Sequence, residues 1–146
     1  MIKHYISHRG NTDGKIGNAE NSPDYVLNAL NKGYEVEIDV WLVGDLFYLG
    51  HDKPLYLIQE SFLENEKFWC HAKNEEAFYQ MLSNPRIHCF WHQTDDYTLT
   101  SKGIPWVFPG KKVNEHSIWV LPEKTPFSNI IIKCLGICSD NISKYK

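Results

Sequence analysis

Two carboxylates stand two positions apart within an otherwise apolar stretch of the sequence. Glu37 and Asp39 belong to the run EVEIDV at residues 35–40. On a β-strand both would project from one face together with Glu35, because successive side chains alternate. Crowded carboxylates repel one another unless water or a cation stabilises them, and Mg²⁺ and Ca²⁺ take oxygen ligands of this kind. The spacing is typical of a metal site, and also of a solvent-facing strand with salt bridges.

Two histidines each follow an apolar run at a point where a strand is expected to end. His8 precedes Arg9 and Gly10, and His51 precedes Asp52. Enzymes built on α/β barrels have their catalytic groups at the carboxyl ends of strands. An imidazole can move a proton near neutral pH, and a guanidinium can hold a phosphate through two parallel hydrogen bonds. The two histidines therefore suit a base and an acid, although a histidine of this kind taken alone is more often a surface or hydrogen-bonded residue.

The elements that would position these residues alternate between β-rich runs and helices, which favours an α/β fold. One helix is predicted over SPDYVLNALNKG, with Ser22 as N-cap and Gly33 as its stop, and a second over NEEAFYQMLSNP, with Asn74 as N-cap. Both helices are expected to cover a sheet. The residues expected to face that sheet are Val26, Leu27, Leu30, Phe78, Met81 and Leu82.

Chain length limits the size of the predicted barrel. Gly44 and Asp45 separate two apolar runs, which predicts a β-hairpin after the second strand and leaves about seven core strands. A complete (β/α)₈ barrel needs about 250 residues, whereas this chain has 146. We therefore expect one domain over residues 1–146, an abbreviated or incomplete TIM barrel whose second half has bare loops in place of helices.

Composition excludes several classes of protein. The net charge of −3 and pI near 6.1 give no broad attraction to nucleic acid. The first residues lack the apolar run of a signal peptide and no stretch is apolar enough to span a membrane, so we expect a soluble, cytoplasmic protein. Four cysteines lie in or beside strand-like runs without a CxxC spacing, which predicts buried free thiols. They are Cys70, Cys89, Cys134 and Cys138.

The order of these motifs resembles the glycerophosphodiester phosphodiesterase family and its phosphatidylinositol-phospholipase-C-like relatives. The motifs are HRG at residues 8–10, ENS at 20–22, EIDV at 37–40 and GHD at 50–52. The resemblance covers residues 5–52 closely, and more loosely HAK at 71–73 and GICSD at 136–140. It implies a divalent-metal enzyme that cleaves a phosphodiester, in which a neighbouring substrate hydroxyl attacks phosphorus.

The resemblance also assigns roles to individual residues. His8 and His51 match the histidines that act as general base and acid, without indicating which is which. Glu37 and Asp39 match the metal-binding pair. Arg9 and Lys73 match the basic residues that hold and neutralise the phosphate. These assignments are expectations that follow from the resemblance.

One position departs from the family pattern. Family members usually have an acidic third metal ligand two residues before the lysine, where this chain has His71. An imidazole moves the preference from Mg²⁺ or Ca²⁺, which are expected first, toward Mn²⁺ or Zn²⁺. Glu20 is a further candidate ligand, and it could equally fix the loop before it by accepting hydrogen bonds.

The resulting hypothesis is a metal-dependent hydrolase of a glycerophosphodiester-like or other small polyol phosphodiester. One alternative is a catalytically reduced module that binds a phosphorylated ligand on the same barrel. Another is a lipid-directed phospholipase relative, although no apolar lid is visible in the sequence. An incomplete barrel exposes strand edges, so we also expect a homodimer.

Overall fold

Ten strands form one mixed β-sheet in the computed structural model, which describes residues 1–125 and 133–146. The sheet is curled into a half-barrel. The strands are β1 (His4–His8), β2 (Glu35–Val43), β3 (Leu46–Leu49), β4 (Tyr56–Ile58), β5 (Phe68–Ala72), β6 (Cys89–Phe90), β7 (Tyr97–Leu99), β8 (Pro105–Val107), β9 (Ile118–Val120) and β10 (Gly136–Ser139).

Two α-helices pack against this sheet at the positions predicted from the sequence. Helix α1 spans Pro23–Asn31 with Ser22 as its N-cap residue, and α2 spans Glu75–Leu82. The Asn74 side chain accepts a hydrogen bond from the backbone N–H of Ala77 and so caps α2. Short 3₁₀ helices occupy Glu60–Glu64, Pro122–Lys124 and Ile142–Lys144.

Strand β2 is the centre of the sheet because it pairs on both sides. Its first half lies parallel to β1 and to β5, and its second half turns at Gly44 into an antiparallel hairpin with β3. Strand β1 also pairs in parallel with β10. The carboxyl ends of β1, β5 and β10 consequently meet at one edge of the parallel part of the sheet, beside residues 37–40 in the middle of β2. Catalytic groups are usually found at such an edge.

The prediction of an abbreviated TIM barrel is wrong. Strands β3, β4 and β7 pair antiparallel, and two α-helices are too few to alternate with the strands. Among the described residues β6 pairs only with β5, so the sheet is open beside it. The segments that follow Trp91 lack a helical apolar repeat, and they form turns and short strands. The hairpin predicted at Gly44 and Asp45 joins β2 to β3, and β4 adds a strand that the sequence pattern did not suggest.

The core lies between the sheet and the helices, with a second cluster inside the curl of the sheet. Val26 and Ala29 of α1 are fully buried, as are Ala77 and Met81 of α2. Two residues expected in the core, Leu27 and Leu82, are 40% and 45% exposed. Ala29 and Ala77 are buried against the sheet instead, because their short side chains let each helix approach the sheet closely.

All four cysteines are free thiols and are buried, which confirms that prediction. Neither α-helix, within the part of the chain that the structure describes, combines the length and the apolar character needed to cross a bilayer.

Candidate active site

The two carboxylates of β2 are buried, not solvent-facing. Glu37 is 2% exposed and Asp39 is 0% exposed. In the strand register Glu37 lies opposite His8 of β1, and Asp39 lies opposite His71 of β5. Each buried carboxylate therefore has an imidazole on a neighbouring strand. The alternative of an exposed strand with surface salt bridges is excluded.

Asp39 is held ionised by the groups around it. The Asn21 side chain donates to Oδ2 at 2.9 Å, and the Arg9 Nε lies 3.1 Å from the same oxygen. Lys73 Nζ is 3.8 Å from Oδ1. Burial would raise the pKa of Asp39, but His71 and the charges of Arg9 and Lys73 outweigh it and keep that pKa below its ordinary value. This carboxylate is negative at any physiological pH.

His71 presents one ring nitrogen to both carboxylates. Its Nε2 lies 2.7 Å from the backbone oxygen of His92, and because a carbonyl oxygen only accepts, Nε2 bears the proton. Nδ1 then faces Glu37 Oε1 at 3.5 Å and Asp39 Oδ1 at 3.4 Å. The ring is stacked on Phe90 with centroids 4.9 Å apart. His71 Nδ1 can thus bind either a cation or a second proton.

Without a metal ion, His71 is expected to bind a second proton on Nδ1. Burial alone would lower the pKa of His71, but the hydrogen-bonding and charge of Asp39 and Glu37 raise it to about 9. The imidazolium then neutralises part of the carboxylate charge. A divalent cation bound here would compete with that proton.

His8 is oriented by a carboxylate from the other end of the chain. Its Nδ1 lies 2.7 Å from Asp140 Oδ1, directly after β10, and its Nε2 lies 3.8 Å from Glu37 Oε2. The Asn11 side chain donates to the same Asp140 oxygen at 2.9 Å. Burial would raise the pKa of Asp140, but the hydrogen bond from His8 lowers it. An ionised Asp140 fixes a proton on His8 Nδ1 and leaves Nε2 free to accept one.

The Arg9 backbone is strained, and its side chain lies between Asp39 and Glu20. Its φ of 57° lies in the left-handed region, which costs energy for a residue with a side chain. The next residue, Gly10, has φ 91°, and a Cβ there would lie 2.6 Å from the Tyr25 ring. The strained turn directs the guanidinium toward Asp39 and toward Glu20, whose Oε2 is 3.7 Å from Nη1.

A pocket of about 180 Å³ opens over this constellation. His8, Arg9, Glu37 and His71 line one side of it. A second pocket of about 380 Å³ lies alongside and contains His51. Three residues line both pockets, namely Arg9, Lys15 and Glu20. Arg9 therefore stands at the junction of two spaces that could each hold part of a ligand.

The structure brings seven of the eight residues proposed from the sequence into one connected set. The contacts above link His8, Arg9, Glu20, Glu37, Asp39, His71 and Lys73. Glu20 also lies in a group with His8 and Asp140, and it accepts a hydrogen bond from Asn11 at 2.8 Å. His51 is set apart in the second pocket, where its half-exposed ring pairs with Asp52 at 2.7 Å.

Sequence reasoning missed several residues that complete the site. In the sequence, Asp140 stands out only as part of GICSD, and Asn21 only as part of ENS. Lys15, which pairs with Glu20 at 3.7 Å, is not predicted as a site residue. The signal available for Asn21 was its place beside Glu20. Lys15 gave no signal, because a lysine in a polar loop is usually solvated.

The donor set fits a divalent cation. Glu37, Asp39 and His71 each offer one ligand atom, and these atoms lie within 4.8 Å of one another. Glu37 Oε2 and Asp39 Oδ1 are buried and accept no hydrogen bond from any described residue. Buried carboxylate oxygens are rarely left without a donor. Two carboxylates and one imidazole are a ligand set that Mn²⁺, Zn²⁺ and, less strongly, Mg²⁺ or Ca²⁺ accept.

Comparisons of this chain with protein-family models, with curated proteins and with solved structures found no match.

Proposed function

We propose that this protein is a metal-dependent phosphodiester hydrolase. The observation that supports it most is the buried Glu37–Asp39 pair, in which Glu37 Oε2 and Asp39 Oδ1 accept no hydrogen bond from the described residues. The pair lies beside Arg9, a phosphate-binding type of side chain 3.1 Å from Asp39, and beside the oriented base His8, 3.8 Å from Glu37. Phosphodiester cleavage needs positive charge at the phosphoryl oxygens, a base and an acid. His8, Arg9, Glu37 and His71 line the first pocket, and the second histidine, His51, lines the neighbouring pocket that shares Arg9.

Glu37, Asp39 and His71 would hold the metal ion, which when bound supplies Lewis-acid stabilisation of the negative charge on phosphorus-bound oxygens. Arg9 would bind a phosphoryl oxygen from the junction between the two pockets. The Lys73 ammonium lies 3.8 Å from Asp39, and its side chain is mostly buried. Its effect on a bound phosphate would therefore be electrostatic and indirect.

The two imidazoles suit acid–base catalysis from opposite sides. His8 Nε2 lines the first pocket, and Asp140 keeps it in the tautomer that accepts a proton. His51 lines the second pocket on the other side of Arg9. One histidine would take the proton of the attacking hydroxyl while the other protonates the leaving oxygen. A vicinal hydroxyl on the substrate is the natural nucleophile in a site this small, since it is already positioned next to phosphorus.

Backbone strain supports the proposal that these pockets bind a ligand. The three non-glycine residues with positive φ in residues 1–125 and 133–146 are Arg9, Asn21 and Leu121. Each of them lines one pocket or both. Strained residues persist where the surrounding structure imposes them, and they cluster at active and ligand sites.

The substrate class we propose is a small glycerophosphodiester-like or polyol phosphodiester. The two pockets, of about 180 and 380 Å³, match the size of a small alcohol group on either side of a phosphate.

A second candidate is a module that binds a phosphorylated ligand without cleaving it. It is favoured by one observation, the raised pKa of His71, which lets an imidazolium replace a metal ion between the two carboxylates. Such a module would bind phosphate through Arg9 and would be indifferent to chelators.

The experiment that separates the two candidates measures turnover of glycerol p-nitrophenyl phosphate and of glycerophosphocholine, which both have a vicinal hydroxyl, with Mg²⁺, Ca²⁺, Mn²⁺, Zn²⁺ or chelator. Wild type is compared with His8→Ala and with His116→Ala, whose ring is largely exposed and lines neither pocket. Metal-dependent turnover that His8→Ala abolishes and His116→Ala preserves would support the hydrolase. Binding of a diester without turnover in any metal would favour the module.

A further inference from the structure

A third imidazole lines the first pocket and has no role in the proposed reaction. His92 follows β6 by two residues, so it lies at the same edge of the parallel strands as His8 on β1 and His71 on β5. It is 8% exposed and lines the pocket together with those two histidines. The proposed hydrolase uses His8 as a base and His71 as a metal ligand, which leaves His92 to be explained.

The ring of His92 is held from two sides. Its Nε2 lies 2.7 Å from the backbone oxygen of Asp95, and because a carbonyl oxygen only accepts, Nε2 bears the proton. Phe108 contacts the ring edge-on, with centroids 5.5 Å apart. Near pH 8, above the ordinary imidazole pKa of about 6.5, the neutral ring then has its lone pair on Nδ1. Nδ1 can therefore accept a hydrogen bond but cannot donate one.

The Nδ1 atom of His92 has no assigned partner. Within residues 1–125 and 133–146 it accepts no hydrogen bond, whereas Nε2 has its partner in Asp95. His92 also belongs to neither of the two groups of described side chains whose possible ligand atoms lie within 4.8 Å of one another. An acceptor in a pocket wall, with neither a protein donor nor a place in the metal site, suits a hydrogen bond from a bound substrate.

The backbone of His92 fixes its position relative to the metal-binding carboxylates. Its carbonyl oxygen accepts the Nε2 proton of His71 at 2.7 Å, and His71 Nδ1 lies 3.5 Å from Glu37. The other oxygen of Glu37 lies 3.8 Å from His8 Nε2. Strands β2 and β5 stand between the strand of His8 and that of His92. A ligand held over Glu37 therefore has His8 on one side and His92 on the other.

This separation assigns two different hydroxyl groups to the two histidines. A hydroxyl has a single proton, so it cannot donate to His8 and to His92 at once. In the proposed reaction His8 takes the proton of the hydroxyl that attacks phosphorus. The leaving alcohol extends toward His51 in the second pocket. The donor to His92 is then a second hydroxyl on the attacking alcohol, further from phosphorus than the first.

We propose that His92 selects alcohols with a second free hydroxyl beyond the vicinal one, through a hydrogen bond from that hydroxyl to Nδ1. This inference rests on the proposed function, because it takes His8 as the base and Arg9 as the phosphate-binding residue. His92 is a specificity-determining residue and takes no part in proton transfer. The favoured substrate is a diester of glycerol or of a larger polyol, and a diester of a simple diol binds less tightly.

The test measures equilibrium binding by calorimetry at pH 8 in the presence of Mn²⁺. The two probes are the methylphosphonate monoesters of glycerol and of propane-1,2-diol, each esterified at a primary oxygen, which differ only by the terminal hydroxyl. Both lack a leaving alcohol, because a methyl group bonded to phosphorus takes its place. Wild type is expected to bind the glycerol probe about tenfold more tightly, since the diol probe leaves Nδ1 without a donor.

Variants test the assignment to His92. His92→Phe keeps a ring against Phe108 but has no acceptor, so it should bind the two probes with equal affinity. In His92→Asn the amide oxygen can take the place of Nδ1, so a preference of about threefold for the glycerol probe should return. His116→Phe is the matched control, because His116 is largely exposed and lines neither pocket. It should keep the wild-type preference.

The affinity for Mn²⁺ in the same variants shows whether the metal site is intact. Each variant keeps the backbone carbonyl of residue 92, which orients His71, so Mn²⁺ should bind as it does to wild type. A preference that disappears in His92→Phe together with Mn²⁺ binding, and that does not return in His92→Asn, would show that His92 only supports the metal site. That result would overturn the proposal.

Three further results would overturn it. They are equal affinity of wild type for the two probes, an undiminished preference in His92→Phe, and absence of binding for both probes. Failure of the proposed hydrolase is a separate result. A preference for the glycerol probe that depends on His92, with no turnover of glycerol p-nitrophenyl phosphate in any metal, would support the hydroxyl selectivity and refute catalysis.

Discussion

His71 donates its Nε2 proton to the backbone oxygen of His92 at 2.7 Å, and this hydrogen bond directs Nδ1 toward the buried carboxylates. Metal-binding histidines commonly have such a partner on the second nitrogen, because it fixes the tautomer and the orientation of the ring. The hydrogen bond thus orients His71 to bind a metal ion at the position where the family that the sequence resembles has an acidic ligand. It also explains how the site can exist without a metal ion, as an imidazolium between two carboxylates.

We predict that His71 sets the metal preference. In His71→Asp a hard oxygen ligand replaces the imidazole, so affinity for Mg²⁺ and Ca²⁺ should rise relative to Mn²⁺ and Zn²⁺. His71→Ala should lose at least about tenfold in affinity for Mn²⁺. Calorimetric titration of the metals gives both values. An unchanged order of metal affinities in both variants would remove His71 from the ligand set.

We predict that Asp140 acts through His8. Asp140→Asn removes the ionised acceptor at Nδ1, so His8 would hold its proton on the wrong nitrogen part of the time. The expected result is a fall in kcat on the order of a hundredfold or more with little change in KM. Asp24→Asn, on the exposed face of α1, is the control and should keep wild-type kcat. A kcat preserved in Asp140→Asn would show that His8 needs no orienting carboxylate.

We predict that Gly10 is required by its surroundings as well as by its backbone. A Cβ at Gly10 would lie 2.6 Å from the Tyr25 ring at φ 91°, whereas Gly103 has φ 75° and nothing within 4 Å. Both alanine variants have left-handed strain, but only one has the contact. Gly10→Ala should therefore lower the free energy of unfolding by about 1–3 kcal/mol more than Gly103→Ala does. Thermal unfolding of the two variants measures the difference, and equal losses would contradict the contact.

We predict that His88 weakens the fold in acid. Its side chain is 3% exposed, and burial, followed by the charge of Lys102, lowers its pKa to about 4. The unfolded chain takes up this proton near its ordinary pKa of about 6.5, so between these two values the unfolded state binds more protons. Stability contributed by neutral His88 is fully present above pH 6.5 and is lost as pH falls toward 4, by up to about 3 kcal/mol.

The variant that checks this is His88→Phe, which keeps a ring against Trp69, whose centroid is 4.3 Å from that of His88. Urea unfolding at pH 7.0, 5.5 and 4.5 should show a steeper loss in wild type than in the variant. Parallel pH dependence of the two proteins would mean that His88 titrates normally.

Local features of this fold were predictable because they depend on neighbours in the sequence. The alternation in EVEIDV placed Glu37 and Asp39 on one face, and the caps before Pro23 and at Asn74 fixed the starts of both helices. These signals concern a few consecutive residues and are independent of the rest of the molecule.

Features that depend on distant pairings were not predictable. Asp140 reaches His8 across 132 positions in the sequence, through the pairing of β10 with β1. Whether the sheet closes beyond β6 depends on the short strand β7, which pairs antiparallel with β8. Strands of two or three residues leave little periodicity to detect. The barrel was predicted instead from the alternation of strands and helices in the first half of the chain. The position of His51 in a neighbouring pocket depends in the same way on the path of a loop.

The most direct test of the account is a metal titration followed by two signals on one sample of wild-type protein. Chelator-treated protein is titrated with Mn²⁺ while bound metal is measured by calorimetry. Turnover is measured by absorbance with glycerol p-nitrophenyl phosphate, which has a hydroxyl vicinal to the phosphate and releases p-nitrophenolate. We predict that Mn²⁺ binding is saturable, that turnover rises in parallel with it, and that Asp39→Asn loses both. Turnover in chelator, or metal binding that Asp39→Asn leaves intact, would contradict it.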